Sequence, residues 1–488
     1  MSKESHKQNV QKATRFVQET SRQVSHRFRQ RYHFMAPAGW INDPNGLIQY
    51  KGIYHLFYQH NPYKAVWGPM HWGHAVSRDF IHWEHLPIAL APSEEYEQGQ
   101  GGCFSGSAVE NEGMLNLLYT GASTVNGQQV QVQCLAQSKD GITFEKYPGN
   151  PILKRSGKAE RDFRDPKVWK HGNFWYMVTA AQEKESGSAL LYRSTDLIHW
   201  DFLSLLAGGD PKLGSMWECP DFFEINGTGV LLFSPVGFED RKASYLTGHL
   251  NYESGTFAAE TLGETDWGFD FYAAQTFQDA KGRRIMIGWA NGWDWMPWWN
   301  GFGPTQPDLW CGHMNLPREV TVCDDGKLSF HPVEELKTLR TDAWSASGFT
   351  LQAETAQTLH AGDGIHFELM ICFDLTATSA KQISLFLRCS ETEQTVLTCD
   401  LENGDLVFDR SASSTYDNGV KRCPLESAHS NTLTLHLFAD TCSIEVFTDD
   451  GRTVMSSNIY PSANSSGLFL RAHGGDVRVS SIETWGLG

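Results

Sequence analysis

The chain has 488 residues, too many for one ordinary hydrophobic core, so two domains or a large repeat fold with an added module is expected. A net charge of −17 argues against nucleic acid and anionic membranes as partners, because neutralising phosphate needs a basic face. No apolar run of about 18 residues is present, so no transmembrane helix is expected; 12% aromatic residues and 45 Gly suit an all-β protein rich in turns.

Residues 1–30 are polar, with seven Lys or Arg, two Glu and no apolar signal core. They are expected to form a helical extension that docks on the body through Val10, Ala13, Phe16, Val17 and Val24, in a chain that stays in the cytoplasm. The ten Cys are scattered without C-x-x-C spacing, which predicts reduced, mostly buried thiols and neither a disulfide frame nor a zinc site.

From about residue 31 short β runs alternate with turns. The first distinctive stretch is Trp40-Ile41-Asn42-Asp43-Pro44-Asn45-Gly46, whose Asp-Pro-Asn-Gly part is turn chemistry. Read alone, Asp43 is a hairpin residue capping backbone amides. An internal repeat changes that reading. Ser77-Arg78-Asp79-Phe80-Ile81-His82-Trp83 recurs as Ser194-Thr195-Asp196-Leu197-Ile198-His199-Trp200, with a looser copy from Ser138 to Phe144. The Asp positions step by 61 and 56 residues, the length of a four-stranded propeller blade, and roughly 300 residues at ~60 per blade make five.

The repeat also sets a phase. Counting 36 residues back from Asp79 reaches Asp43, and the equivalent counts reach Phe104 and Asp165; Glu218 follows 53 residues after Asp165. Asp43, Asp165 and Glu218 therefore occupy similar blade positions, and innermost strands converge on one channel. Crowded carboxylates repel, so their convergence points to chemistry. Residues 31–335 read as the propeller and 336–348 as a linker with a short helical connector from Pro332. Residues 349–488, poorer in Trp and richer in Ser, Thr, Leu and Val, read as an antiparallel β-sandwich.

Two carboxylates facing each other across a sugar are the equipment of glycoside hydrolysis, one ionised and one holding a proton. Asp43, in an amide-lined turn, suits the ionised nucleophile. Glu218, flanked by Trp217, Cys219 and Pro220, suits the acid, because apolar neighbours favour the protonated form. Arg164 is expected to keep Asp165 ionised, which suits a group that grips hydroxyls and a developing oxocarbenium.

The blocks Trp-Ile-Asn-Asp-Pro-Asn-Gly, Phe163-Arg164-Asp165-Pro166 and Trp217-Glu218-Cys219-Pro220-Asp221 resemble the signatures of glycoside hydrolase family 32, the β-fructofuranosidases. Phe269 to Ala273, Leu316 to Glu319, Ile444 to Phe447 and Ile459 to Pro461 agree, and the resemblance runs from about residue 33 to near the end. It implies a five-bladed propeller joined to a sandwich and a retaining mechanism without a cofactor. It further implies Asp43 as nucleophile, Glu218 as acid/base and Asp165 as transition-state stabiliser, with the sugar held by Asn42, Gln59, Trp67, Phe104, Ser105 and Arg164. Trp40, Ile41 and Trp293 complete the expected sugar-contacting set. Retention requires the paired carboxyls to be about 5–5.5 Å apart.

Residues 289–310 hold six of the seventeen Trp and read as an aromatic platform at the funnel mouth or as a packed rim. Sucrose, sucrose-6-phosphate and short fructo-oligosaccharides all stay open as substrates; Lys64, Lys184, Arg241 and Lys242 are candidates for gripping a phosphate. His55, His60, His71, His74, His82 and His85 read as structural, since no metal-ligand spacing connects them. The sandwich is expected to stabilise the propeller or to make a homodimer. Rival readings are an inverting arabinanase- or xylosidase-type propeller, with carboxyls about 6.5–9.5 Å apart, and a catalytically silent sugar-binding protein.

Overall fold

The computed structural model describes residues 3–154, 162–238, 241–293, 303–416 and 418–488. Five antiparallel sheets follow one another along the chain, and each begins with its innermost strand: Gly39–Tyr50, Gly102–Asn111, Phe163–His171, Met216–Ile225 and Tyr272–Gln278. Each innermost strand touches those of its two neighbours, the fifth returning to the first, so the sheets close into a propeller. Between the second and third strands of the fifth sheet the chain detours, and Trp310–Cys311 pairs in parallel with Gly39–Trp40. That contact fastens the last sheet to the first.

The Ser-x-Asp repeat is a turn-forming device between the third and fourth strands of three sheets. Asp79 Oδ1 accepts from the amides of Ile81 and His82 at 3.0 and 2.8 Å; Asp196 repeats this with Ile198 and His199 at 2.9 and 2.8 Å. Asp140 does so with Ile142 and Thr143 at 2.8 and 2.7 Å. A carboxylate that satisfies two free amides holds the corner, and Trp83 and Trp200 close it by donating to Phe80 and Leu197 carbonyls. The aspartate part of the device recurs without its serine in the C-terminal part, where Asp363 follows Ala361-Gly362 and accepts from the Ile365 and His366 amides.

Two six-stranded sheets form the sandwich around a core that includes Phe367, Leu385, Leu437 and Ile482. Its first strand is Arg340–Leu351, paired with Val477–Leu487, so most of the expected 336–348 linker is sheet; its largely exposed side chains gave it the look of a connector. Only the 3₁₀ turn Glu334–Leu339 separates the domains, as the connector reading anticipated.

The seam between propeller and sandwich is charged and dry. Arg318, wholly buried, meets Asp266 at 3.0 Å and Glu445 at 2.6 Å. His33 bridges Asp440 at 2.8 Å and Glu445 at 3.1 Å, and Asp270 meets Arg410 at 2.8 Å. Burial alone would strip the proton from His33, but its hydrogen bonds to the two carboxylates outweigh this and lift it to about 9. At Glu445 burial is outweighed first by the charge of Arg318 and then by the His33 hydrogen bond, and the carboxyl falls to about 2.

The N-terminal helix, Lys3–Thr20, lies against the linker between the first and second sheets. Asn9 donates to the Pro92 carbonyl at 2.8 Å, His6 pairs with the Ala91 carbonyl at 3.2 Å, and Thr14 accepts from the Ile88 amide at 3.1 Å. Ala13, Val17 and Val24 are buried, whereas Phe16 is 38% exposed and rests edge-on against Tyr63. The following residues reach the seam, where Phe28 packs with Trp310, Cys442 and Tyr460.

Candidate active site

All five innermost strands carry a β-bulge or irregularity in their pairing with the second strand of their sheet. The register slips between Ile41 and Pro44, Phe104 and Gly106, Arg164 and Lys167, Glu218 and Asp221, and Tyr272 and Gln275. A bulge leaves extra residues unpaired and re-aims their side chains. Asp165, Cys219 and Ala273 sit there at φ of 61°, 49° and 52°, a strained backbone for residues with a Cβ.

This corrects two sequence expectations. The Asp-Pro-Asn-Gly segment is not a hairpin turn; it lies inside the strand Gly39–Tyr50, and the turn comes at Lys51-Gly52. Pro44 is tolerated because the inner edge of this strand has no ladder partner there. Gly46, at φ 54°, has no room for a side chain, since a Cβ would stand 2.7 Å from the Phe57 ring. The second correction concerns phase. Ile41, Arg164, Glu218 and Tyr272 are each the last paired residue before the irregularity. Glu218 therefore stands at the first position of the four-residue window, Asp165 at the second and Asp43 at the third.

The windows open into one cavity of about 460 Å³. Asp43 Oδ1 accepts from Asn42 Nδ2 at 3.0 Å, and its Oδ2 accepts from Ser105 Oγ at 2.6 Å and Cys219 Sγ at 3.5 Å. Burial raises the Asp43 carboxyl; the Ser105 hydrogen bond opposes this and the charge of Glu218 adds to it. Asp165 Oδ2 accepts from the Cys219 amide at 2.9 Å. Arg164 does not hold Asp165 in the ordinary carboxylate range. Burial pushes Asp165 up to about 7, and Glu218 and Asp43 offset much of what Arg164 returns. The guanidinium is committed elsewhere: its Nη2 donates to Glu218 Oε1 at 2.9 Å and its Nη1 to Asp162 at 2.5 Å, while its Nε stays 3.8 Å from Asp165.

The surroundings of Glu218 also differ from those its sequence neighbours suggest. Trp217 turns into the sheet and stacks on Phe233 at 4.0 Å. The Glu218 carboxyl instead faces Arg164 on Oε1 and the Tyr272 hydroxyl, which donates to Oε2. A carboxyl held by a cation and a phenol at the mouth of a buried cavity is oriented for proton exchange with a bound group.

Asn42, Gln59, Trp67, Phe104, Ser105, Arg164 and Trp293 line the cavity with the three acids. Gln59 is fixed by donating to the Cys103 carbonyl at 2.9 Å. Trp40 and Ile41 do not line it. Trp40 is wholly buried, donates to Asn42 Oδ1 at 2.7 Å and stacks on Trp293, while Ile41 turns into the core between sheets. They shape the site from behind. Trp289 and Trp310 are likewise buried, and Trp295, Trp298 and Trp299 lie outside the described residues.

Lys64, Lys184, Arg241 and Lys242 are absent from the described lining; Arg241 meets Glu264 at 3.1 Å and Lys242 donates to the Gly268 carbonyl. The histidines of the first sheet are engaged in its core: His55 with His74 at 3.0 Å, and His60 with the Trp40 carbonyl at 2.7 Å. Burial lowers His55 and His60 to about 4.

Lining residues that sequence reasoning missed include Gln129, Asp162, Gln182, Ser215 and Tyr272. Tyr272 was within reach, since Arg164, Glu218 and Tyr272 are spaced by 54 and 54 residues. The others come from hairpins and strand approaches above the bulges, where no repeat marks them.

A closed ring of sheets with three carboxylates gathered over one axial cavity defines the molecule as a propeller glycoside hydrolase. Comparison with known proteins places it more narrowly. The profile described as Glycosyl hydrolases family 32 N-terminal domain matches residues 33–332, and that described as Glycosyl hydrolases family 32 C terminal matches residues 335–486. The chain belongs to glycoside hydrolase family 32. It is 39% identical to a sucrose-6-phosphate hydrolase of Zymomonas mobilis, with 93% of this chain and 91% of the relative covered. It is 38% identical to a raffinose invertase of Escherichia coli, over 93% and 94% of the two chains. A solved β-fructofuranosidase of Bombyx mori in complex with sucrose superposes with a TM-score of 0.82 at 35% identity, covering 96% and 97%.

Proposed function

We propose that this protein is a retaining β-fructofuranosidase acting on terminal non-reducing β-D-fructofuranosides. The observation that carries the reading is the convergence of Asp43, Asp165 and Glu218 from equivalent bulges onto one cavity, with Glu218 held by Arg164 and Tyr272. In the first step an Asp43 oxygen bonds to the anomeric carbon as the glycosidic C–O bond breaks, and the leaving oxygen takes the proton of Glu218. Asp165, ionised, binds fructose hydroxyls and stabilises the positive charge that develops on the ring. In the second step water gives a proton to Glu218 and its oxygen to the anomeric carbon, and the Asp43 ester bond breaks to release fructose.

Among the described lining residues Arg164 is the sole cation, already committed to Glu218 and Asp162, beside four carboxylates. This favours an uncharged leaving group, so sucrose or a short oligosaccharide stands ahead of a sugar phosphate. Ten scattered cysteines, seven of them buried, suit a reducing compartment, which supports the cytoplasm; no described helix is long and apolar enough to cross a membrane.

The test is one purified preparation assayed on sucrose, sucrose-6-phosphate, kestose, raffinose and inulin, beside Asp43→Ala and Glu218→Gln. Fructose release from sucrose, lost by at least about 10³-fold in both variants, is the expected result. Full activity in either variant would refute the assigned roles, and faster hydrolysis of sucrose-6-phosphate than of sucrose would refute the neutral leaving group.

A further inference from the structure

The cavity holds a fourth carboxylate that the two-step reaction does not use. Asp162 lies just before the innermost strand of the third sheet, its side chain 29% exposed on the cavity wall. Its position is built. The Asp162 carbonyl accepts from the Gln182 amide at 3.3 Å, and Oδ1 accepts from Gln131 Nε2 at 3.5 Å. Gln131 Oε1 in turn accepts from the Phe163 amide at 2.7 Å, which ties the segment to the second sheet. From this anchorage Oδ1 takes Arg164 Nη1 at 2.5 Å, while Nη2 of the same guanidinium serves Glu218 Oε1 at 2.9 Å.

We propose that Asp162 is a positioning residue that shares Arg164 with Glu218 and so sets how strongly the guanidinium pulls on the carboxyl of Glu218. The proposal rests on the assignment of Glu218 as acid. An arginine facing Glu218 alone would favour the ionised carboxylate and weaken the acid. A second carboxylate on the other amino group divides that attraction and fixes the plane of the fork, so that Nη2 meets only one oxygen of Glu218. The other groups facing Glu218 are the Tyr272 hydroxyl on Oε2 and the carboxylates of Asp43 and Asp165. Asp162 belongs with the latter pair but acts through the arginine, outside the bulge window.

The experiment is the pH dependence of kcat/KM on sucrose for the full-length wild type, Asp162→Asn and Asp162→Glu. Asn keeps an acceptor for Arg164 Nη1 and removes only the charge. In Asp162→Asn the alkaline limb, which reports loss of the acid's proton, moves to lower pH by roughly half to one unit. The position of the limb is read from the shape of each profile, whatever the change in absolute rate. Asp162→Glu restores the wild-type limb. A limb that stays in place in Asp162→Asn while activity drops at every pH would mean a purely structural role and overturn the proposal; so would a limb that moves upward. A wild-type enzyme that releases no fructose would instead remove the functional reading itself. Thermal melts of both variants show that a changed profile belongs to folded protein.

Discussion

Replacing His33 by Gln tests the dry seam between the domains. In the fold the imidazole spans Asp440 and Glu445 with both partners essentially inaccessible to water, so no screening discount applies. Burial opposes its charge, yet the two carboxylates lift it from 6.5 to about 9. That difference is worth about 3 kcal/mol of folding free energy. The lowered Asp440 expresses the His33 contact seen from the other side, and Glu445 is lowered chiefly by Arg318, so neither is added. The sign follows from a raised histidine: the contribution is complete below about pH 6.5 and disappears as pH rises through about 9. After substitution Glu445 still accepts from the Leu316 amide at 2.8 Å and from Arg318, and Asp440 still accepts from the Arg31 amide at 2.8 Å. Urea unfolding of wild type and His33→Gln, followed by Trp fluorescence from pH 6 to 10, reads the difference directly. A gap of about 3 kcal/mol at pH 6 that closes towards pH 10 is expected; groups titrating in both proteins cancel. A gap that stays constant over this range would refute the assignment of a charged His33.

Three further outcomes are expected. Because the Asp165 carboxyl is raised to about 7, its ionised form costs stability at higher pH; Asp165→Asn stabilises the fold by about 4 kcal/mol at pH 8. That gain vanishes below about pH 4, where both states of the wild type are protonated, while sucrose turnover falls at least about 10²-fold at any pH; a variant less stable than wild type at pH 8 would contradict the burial argument. Tyr272→Phe removes the donor to Glu218 Oε2 and lowers kcat by roughly 10- to 100-fold with little change in KM, in steady-state sucrose assays. Trp293→Ala strips one wall of the cavity and raises KM by roughly 5- to 50-fold, with kcat within about threefold; an unchanged KM would show that the indole only packs on Trp40.

The propeller was legible because its corners use side chains that cannot be exchanged freely. An Asp that satisfies two amides and a Trp that closes the turn leave a sequence signature at nearly regular spacing. The signature marks strand ends rather than blades as such, as its aspartate part at Asp363 in the sandwich shows. The three acids were legible as a set, but their places within the bulge were not. A bulge shifts the alternation of a strand, so counting residues from a distant corner is accurate only to within one or two positions. Trp40 and Ile41, still paired with Asn61 and His60 before the slip, do not line the cavity, while Asn42 and Asp43 within it do. Glu218 was misread for a related reason: its apolar sequence neighbours point elsewhere, and the groups that meet its carboxyl come from the third and fifth sheets. The first sandwich strand escaped notice because most of its side chains are in solvent and carry no apolar pattern.

The stagger of the bulge windows bears on symmetry. A ring of repeated sheets tends towards a rotational axis, and equal residues at equal positions would surround that axis with equivalent groups. A fructoside has different groups on each of its sides, so an axially symmetric floor would offer it several equivalent orientations about the axis. Here the first, second and third window positions carry the acids from the fourth, third and first sheets, and the second and fifth windows carry the neutral Ser105 and Ala273. The ring keeps its repeating backbone, while the side chains at its centre have a front and a back. A sugar bound over this floor meets a different group on each side, and the residues that make the difference leave the pairing of the outer strands untouched.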